Sequence, residues 1–410
     1  MKSARNWGQL GMKSEMKTKA LRFLSDIQTG PFGSQLHKED YVDDGTPIVT
    51  VEHLGNRVFT EQNLPRVSNE DKQRLSKYIL KEGDIVFSRV GSVDRCSFVD
   101  SQHTGWLFSG RCLRVRPFEE ISPLFLYYFF CLESTKKFIR NIAVGATMPS
   151  INTKLMGEIE VSYPDKQVQE KIANLLGAID NKIELNNAIN DNLEQQAQAL
   201  FQELFITNAD PNWRTGTIIN LGTVIGGSTP SKAKPEYYTK NGIAWITPKD
   251  LSINKSKFIT HGENDITELG LKNSSATVMP EGTVLFSSRA PIGYIAIAAG
   301  NITTNQGFKS VVPNDEIGTA YVYYYLKQNL SMIERLASGS TFKEVSGGTM
   351  KSVPAIVPDS KTIEKFNSFC LPIFEQQKVL ETQNQTLAGL RDSLLPKLMS
   401  GELDASAIQL

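Results

Sequence analysis

Through residues 168–205 apolar side chains recur at alternating steps of four and three: Ile172, Leu176, Ile179 and Ile183, then Leu193, Ala197, Leu200 and Leu204. That spacing draws a narrow seam along one side of a helix, the pattern of a coiled coil. Asn186 and Asn190 fall on the seam near its middle. A buried amide there lowers stability but fixes register, because it needs a partner at its own level. At 1.5 Å per residue such a helix runs for about 55 Å. A second seam follows at Ile363, Phe366, Cys370, Ile373, Gln377, Leu380, Asn384, Leu387, Leu394 and Leu398. The first stripe needs a partner, and the second predicts an antiparallel pair in register where Asn186, Asn190 and Asn384 meet. Pro372 falls where the first seam has Gly177 and Ala178, which predicts a kink or a late helix start at that level.

The segments before each seam mix short β-like runs, PIVTV and DIVFSRV among them, with Gly, Pro and Asp-Asp turns and one helix over 123–142. They also repeat. KEGDIVFSRVGSVDR (81–95) is answered by PEGTVLFSSRAPIGY (280–294), and AVGATMPSINTKLMGEIEVSYPD (143–165) by ASGSTFKEVSGGTMKSVPAIVPD (337–359). An interval of about 200 residues held this long marks a diverged tandem duplication. The expected fold is α+β: two pseudo-symmetric globular α/β domains separated by a long antiparallel two-helix coiled coil. Its expected parts are a loosely ordered extension (1–20), a first domain (21–162), a spacer helix (163–207), a second domain (208–357) and a second spacer helix (358–410). On this reading a globular domain sits at each end of the rod. A rod that only dimerises the chain is the plainer alternative.

Composition narrows the chemistry. At 40% hydrophobic and 21% charged, the 410 residues are those of a folded chain, long enough for two or three domains. Lys+Arg and Asp+Glu balance at 44 each, so any nucleic-acid binding must rest on local patches. Cys96, Cys112, Cys131 and Cys370 form no CxxC pair and read as reduced thiols of a cytoplasmic protein. The apolar run LFLYYFFCL is too short to span a bilayer. Four scattered histidines make no zinc site, and there is no GxxxxGK[ST] or GxSxG. Asp165 with Glu170 hints at a nuclease, but the pair sits at a helix start, where Pro-Asp serves as a cap.

Each domain does carry a Phe-Ser turn followed by glycine after a β-like run, with Ser88, Arg89 and Gly91 in the first and Ser288 and Arg289 in the second. An exposed turn with Ser, Arg and a close-approach glycine suits phosphate or base-edge contacts. Arg95, Arg111, Arg114 and Arg116 cluster around Trp106 in the first domain. Lys249, Asn305, Gln306, Lys309 and Lys343 are the candidates in the second. Arginine can grip guanine, and Asn or Gln can grip adenine, by two hydrogen bonds each. The loops around Thr147 and Thr341 recur with Lys154 and Lys343 nearby. Taken singly, most such charges are merely solvated.

Together with the GPFGSQL start (30–36), the EGDIVFSR turn, the spacer helix QEKIANLLGAIDNKIELNNAINDNLEQQAQALFQELF and the run LRDSLLPKLMSGELD (390–404), this chain resembles the specificity subunit of a type I restriction–modification system. The resemblance implies two target-recognition domains, each reading half of a split, asymmetric double-stranded DNA sequence, with the helices setting the gap. It adds Ser34 to the candidate contacts. It further implies a non-catalytic chain that binds no cofactor itself. Two methylation subunits and restriction subunits would dock on it, bringing S-adenosylmethionine, ATP and magnesium. The rival from another class is a coiled-coil scaffold with two protein-binding domains and no DNA affinity.

Overall fold

The computed structural model describes residues 15–32, 35–55, 57–289, 291–339 and 343–405. Internal contacts divide the chain into two units, Met1–Ile183 with Thr386–Leu410, and Glu184–Gln385. Each long helix therefore lends one part to each unit.

In the first unit, four antiparallel strands lie in the order Ser25–Thr29, Cys112–Pro117, Ile85–Ser88, Cys96–Phe98. Ile85–Ser88 is buried along its whole length because the sheet lies between two cores. Ile85 and Phe87 face a core shared with helix Pro123–Cys131, whereas Val86 faces a second core with Ile48, Val49 and Leu107. A smaller sheet follows the order Tyr41–Val42, Arg66–Val67, Thr46–Val49, Leu107–Phe108, its last pair parallel.

The second unit repeats that plan. Its larger sheet runs Gly222–Gly226, Lys309–Pro313, Val284–Ser288, Ile292–Ala298, with Phe258–Ile259 added in parallel at the edge. Its smaller sheet runs Tyr238–Thr239, Asp265–Ile266, Ile243–Ile246, Thr303–Thr304, again ending in a parallel pair. Matching strand order in two segments of one chain is the structural counterpart of the sequence repeat. The fold is α+β, with two domains.

Both long helices form without a break, Lys166–Gln202 and Ser360–Met399, and a π-helical turn at Glu203–Thr207 ends the first. Within each unit they run antiparallel. In the first, Arg391 Nη1 donates to Asp180 at 2.8 Å, and Ile172 and Leu176 share a core with Leu395 and Leu398. In the second, Asn186 Nδ2 donates to Asn384 Oδ1 at 2.8 Å, and the Phe201 and Phe366 rings lie 5.7 Å apart.

Five expectations change. Residues 17–20 belong not to a loose extension but to strand Lys17–Ala20, paired with Glu160–Tyr163. Its polar side chains all find partners: Lys17 with Asp165, Thr18 with Ser162 and Lys19 with Glu120. The helix over 123–142 is two, Pro123–Cys131 and Glu133–Ile142, with Leu132 extended between them. The first is buried on most sides and the second on one only, and after the bend the second lays that one face, through Ile139, on the same core. Pro372 causes no late start, since its helix already begins at Ser360. Pro372 and Ser368 are both exposed, so the carbonyl that loses its amide partner there can turn to water. The far end of the first seam is Ala197, Phe201 and Phe205, with Leu200 and Leu204 only partly buried. The rings of Tyr321 and Tyr324 on helix Gly318–Gln328 pack against Phe201, so the helix is seated on its domain as well as on its partner helix. Finally, Asn190 does not join Asn186 and Asn384. One turn further on, its backbone carbonyl accepts from Gln377 Nε2 at 3.2 Å, while Asn384 Nδ2 donates to Asn187 instead.

Candidate nucleic-acid interface

The strand Ile85–Ser88 delivers the first Phe-Ser turn to a point where four segments are stitched together by main-chain hydrogen bonds. Arg89 N donates to Arg111 O at 2.8 Å, Ile151 N to Arg89 O at 3.0 Å, Gly91 N to Pro149 O at 2.8 Å and Gly30 N to Cys112 O at 3.2 Å. Gly91 has φ +75°, with open space where a Cβ would stand, so glycine here serves the backbone and not packing. Ser88 is buried and its hydroxyl donates to Val90 O at 2.7 Å, which makes it a turn-former and not a free donor. Arg89 is half-buried, donates from Nη1 to Gly110 O at 3.3 Å and lies 5.8 Å from the centre of the Phe32 ring. Phe32 is 61% exposed, so a cation and an aromatic face share one rim. Thr147, in the stitched 144–150 loop, is exposed, and Lys154 stands exposed on the short helix Thr153–Gly157 just beyond it.

The second domain builds the same junction with other side chains. Ser288 N donates to Gly307 O at 2.7 Å, Val345 N to Ser288 O at 3.0 Å and Gly227 N to Phe308 O at 3.4 Å. Bond for bond, Ser288 stands where Arg89 does, Gly307 where Arg111 does and Val345 where Ile151 does. Ser288 is fully buried and its hydroxyl is spent on Gly307 O. Asn305 turns its Oδ1 back to accept from Gly307 N at 2.9 Å, shaping the loop, whereas exposed Gln306 meets Thr229 at the rim. Arg289 and Lys309 share the Glu344 carboxylate, and Lys343 is exposed beside it. Lys249 sits at the flank, since a Cβ on Gly307 would touch the neighbouring Pro248. Its hydrogen bond to Glu263, at 2.6 Å, holds the ammonium above the ordinary lysine range.

Three arginines leave the site. Arg95 donates to Leu54 O, Arg114 is buried against Asp26, and Arg116 holds Asp84 at 2.7 Å. Trp106 belongs to the second core, stacked on Phe59. A β-strand explains the dispersal: Arg114 and Arg116 share a sheet face, on which Arg116 neutralises buried Asp84 and buried Arg114 pairs with exposed Asp26. Ser34 lies outside the described residues. Sequence reasoning missed Phe32, although an aromatic inside GPFG is a legible signal, and it missed Glu344, which carries none. Asp165 pairs with Lys17 at 3.0 Å at the helix start.

Among the described residues no helix is long and apolar enough to cross a membrane. Residues 13–195 and 211–388 each match the family described as the type I restriction modification DNA specificity domain. The MjaIX specificity subunit of Methanocaldococcus jannaschii, a type I restriction enzyme component, is 41% identical over 167 residues, which are 40% of this chain but only 38% of that protein. The HindI specificity subunit of Haemophilus influenzae is 25% identical across 82% of this chain and 90% of its own. In fold, the S subunit of a type I restriction-modification system from M. genitalium matches with a TM-score of 0.61 at 17% identity, covering 95% of this chain and 97% of that one. The chain therefore belongs to the family of type I restriction modification DNA specificity domains, and carries two of them in tandem.

Proposed function

We propose that each domain reads one half of a bipartite, asymmetric DNA target, the long helices setting the gap between the halves. The chain has the DNA-specificity role in a type I restriction–modification system and is not its catalytic part. The observation that carries the finer reading is the pair of stitched junctions, alike in their main-chain bonds and different in their side chains. One backbone frame presenting Arg89 and Phe32 in one domain, and Gln306, Arg289 and Lys309 in the other, suits two unlike half-sites. Type I specificity subunits bind DNA and assemble with other subunits of their systems. For this chain, two methylation subunits would dock on the helices, and S-adenosylmethionine, ATP and magnesium would belong to those partners and to restriction subunits.

Co-expression with the neighbouring methylation subunit, followed by mapping of methylated adenines, tests this directly. A single split motif with unlike halves is the expected result, and a continuous or palindromic motif would refute the reading. A protein-binding scaffold predicts no motif at all. Arg89→Ala is expected to weaken binding of the mapped duplex by about 1–3 kcal/mol, with tolerance rising at one position of one half only. Anisotropy titrations against single-base variants of each half check it, and equal loss at both halves would assign Arg89 to the fold instead.

A further inference from the structure

The two junctions share a frame but not an arrangement of charge. In the second domain, Glu344 Oε2 lies 3.6 Å from Arg289 Nη1, and Oε1 lies 3.3 Å from Lys309 Nζ. One carboxylate thus holds two of the cations that this junction offers. Lys309 is tied further to Ser288 Oγ and Gln306 O, at 3.4 Å each. The backbone under the carboxylate is pinned by a bridge between Ser338 and Glu344. In the first domain the matching bridge joins Val144 to Ser150, so Ser150 stands where Glu344 does. Arg89 has no carboxylate partner there among the described residues.

We propose that Glu344 is a specificity-determining residue of the second domain, an internal anion that occupies Arg289 and Lys309 against arbitrary duplex and yields them only to the cognate half-site. This rests on the DNA-reading function above. A phosphate offers the same charge as Glu344 and must also face the carboxylate it displaces, so replacing one anion by the other gains little. A base edge with two acceptors offers arginine a geometry that neither anion supplies. Glu344 is 37% exposed, so its two ion pairs are loose enough to exchange. Non-specific duplex is then held mainly through the first domain.

The inference is tested with the full chain, a random-sequence duplex and a duplex carrying the mapped target, by anisotropy across a salt series. Each phosphate neutralised changes the slope of log K against log salt by about 0.9, or about eightfold in affinity per tenfold change of salt. Glu344→Gln is expected to steepen the non-specific slope by about one to two such steps, with the target-to-random ratio falling. Ser150→Glu in the first domain is expected to do the reverse, making the slope shallower by about one step. Wild-type salt dependence with an unchanged slope in Glu344→Gln overturns the role of Glu344 alone. So does a loss confined to the target duplex, which would make Glu344 a base contact. Failure of the wild-type chain to bind either duplex overturns this inference together with the DNA-reading function.

Discussion

Replacing Lys257 by methionine is expected to destabilise the second unit by about 3 kcal/mol, toward the lower end of what breaking a buried ion pair costs. The Lys257 side chain is 7% exposed, and its ammonium lies 2.6 Å from Glu194 on the first long helix. It also donates to Gln377 Oε1 at 2.8 Å and to Tyr324 OH at 3.2 Å, and it lies 4.1 Å from the Phe374 ring centre. One cation thus ties the edge of the domain sheet to both helices. Removing it strands Glu194, although Lys327, 2.7 Å away, limits the damage. Adding Glu194→Leu should recover most of the loss, because a buried pair replaced by apolar groups of similar size is often neutral. Hydrogen exchange across residues 243–259 in the full chain measures both variants. Equal losses in the single and double variants would rule out the ion pair as the cause.

The same pair sets a pH dependence. Burial alone would raise the Glu194 carboxyl, but facing Lys257 and Lys327 outweigh it and bring it from 4.5 down to about 2. Lys257 is also shifted down, burial there exceeding the pull of Glu194. Glu194 is therefore charged at neutral pH. A depressed carboxyl stabilises the fold above its unfolded value and loses that contribution as pH falls from about 4.5 to about 2. Lys257→Met should flatten the stability curve of the second unit over that interval.

Lengthening both long helices by one matched turn is expected to abolish methylation of the original target and to create a target with the same two halves and a wider gap. The insertion points follow from the structure. The helices pass from one unit to the other at Ile183–Glu184 and at Gln385–Thr386. Four residues added at each junction leave the Asp180–Arg391 pair inside one unit and the Asn186–Asn384 pair inside the other. Four residues add about 6 Å of helix, near two base pairs of duplex. Methylome sequencing decides the outcome. An unchanged gap would separate helix length from target spacing, and altered halves would mean that the domains had been disturbed. Lengthening one helix only should instead misalign the amides and reduce stability.

The long helices and the duplication were legible because both are periodic, and a period survives divergence of individual residues. Sheet order followed from neither, yet the two halves of the chain agree on it. What escaped was decided by tertiary surroundings. Leu132 separates a helix buried on most sides from one that meets the same core through a single face at Ile139, and Pro372 is tolerated because water reaches the carbonyl it would orphan. Arg114 and Arg116 looked like Arg89 in sequence, but Arg116 neutralises buried Asp84 and Arg114 is itself buried in a pair with Asp26. Asn190 sits on the seam by spacing, yet its level on the opposite helix is held by Gln377. Within the junctions, Ser88, Ser288 and Asn305 proved to shape turns with the very atoms that were expected to face DNA.

The bonds that close each junction run from main-chain amide to main-chain carbonyl, at Arg89, Ile151 and Gly30 in one domain and at Ser288, Val345 and Gly227 in the other. Gly30 and Gly227 are held to glycine, since a Cβ would collide with Ser109 O and Asn305 O respectively, but at the other positions the bonding atoms are ones that nearly any amino acid supplies. The outward-facing groups can therefore change without rebuilding the scaffold. Where half-buried Arg89 is answered by buried Ser288, one main-chain frame already carries two unlike side chains.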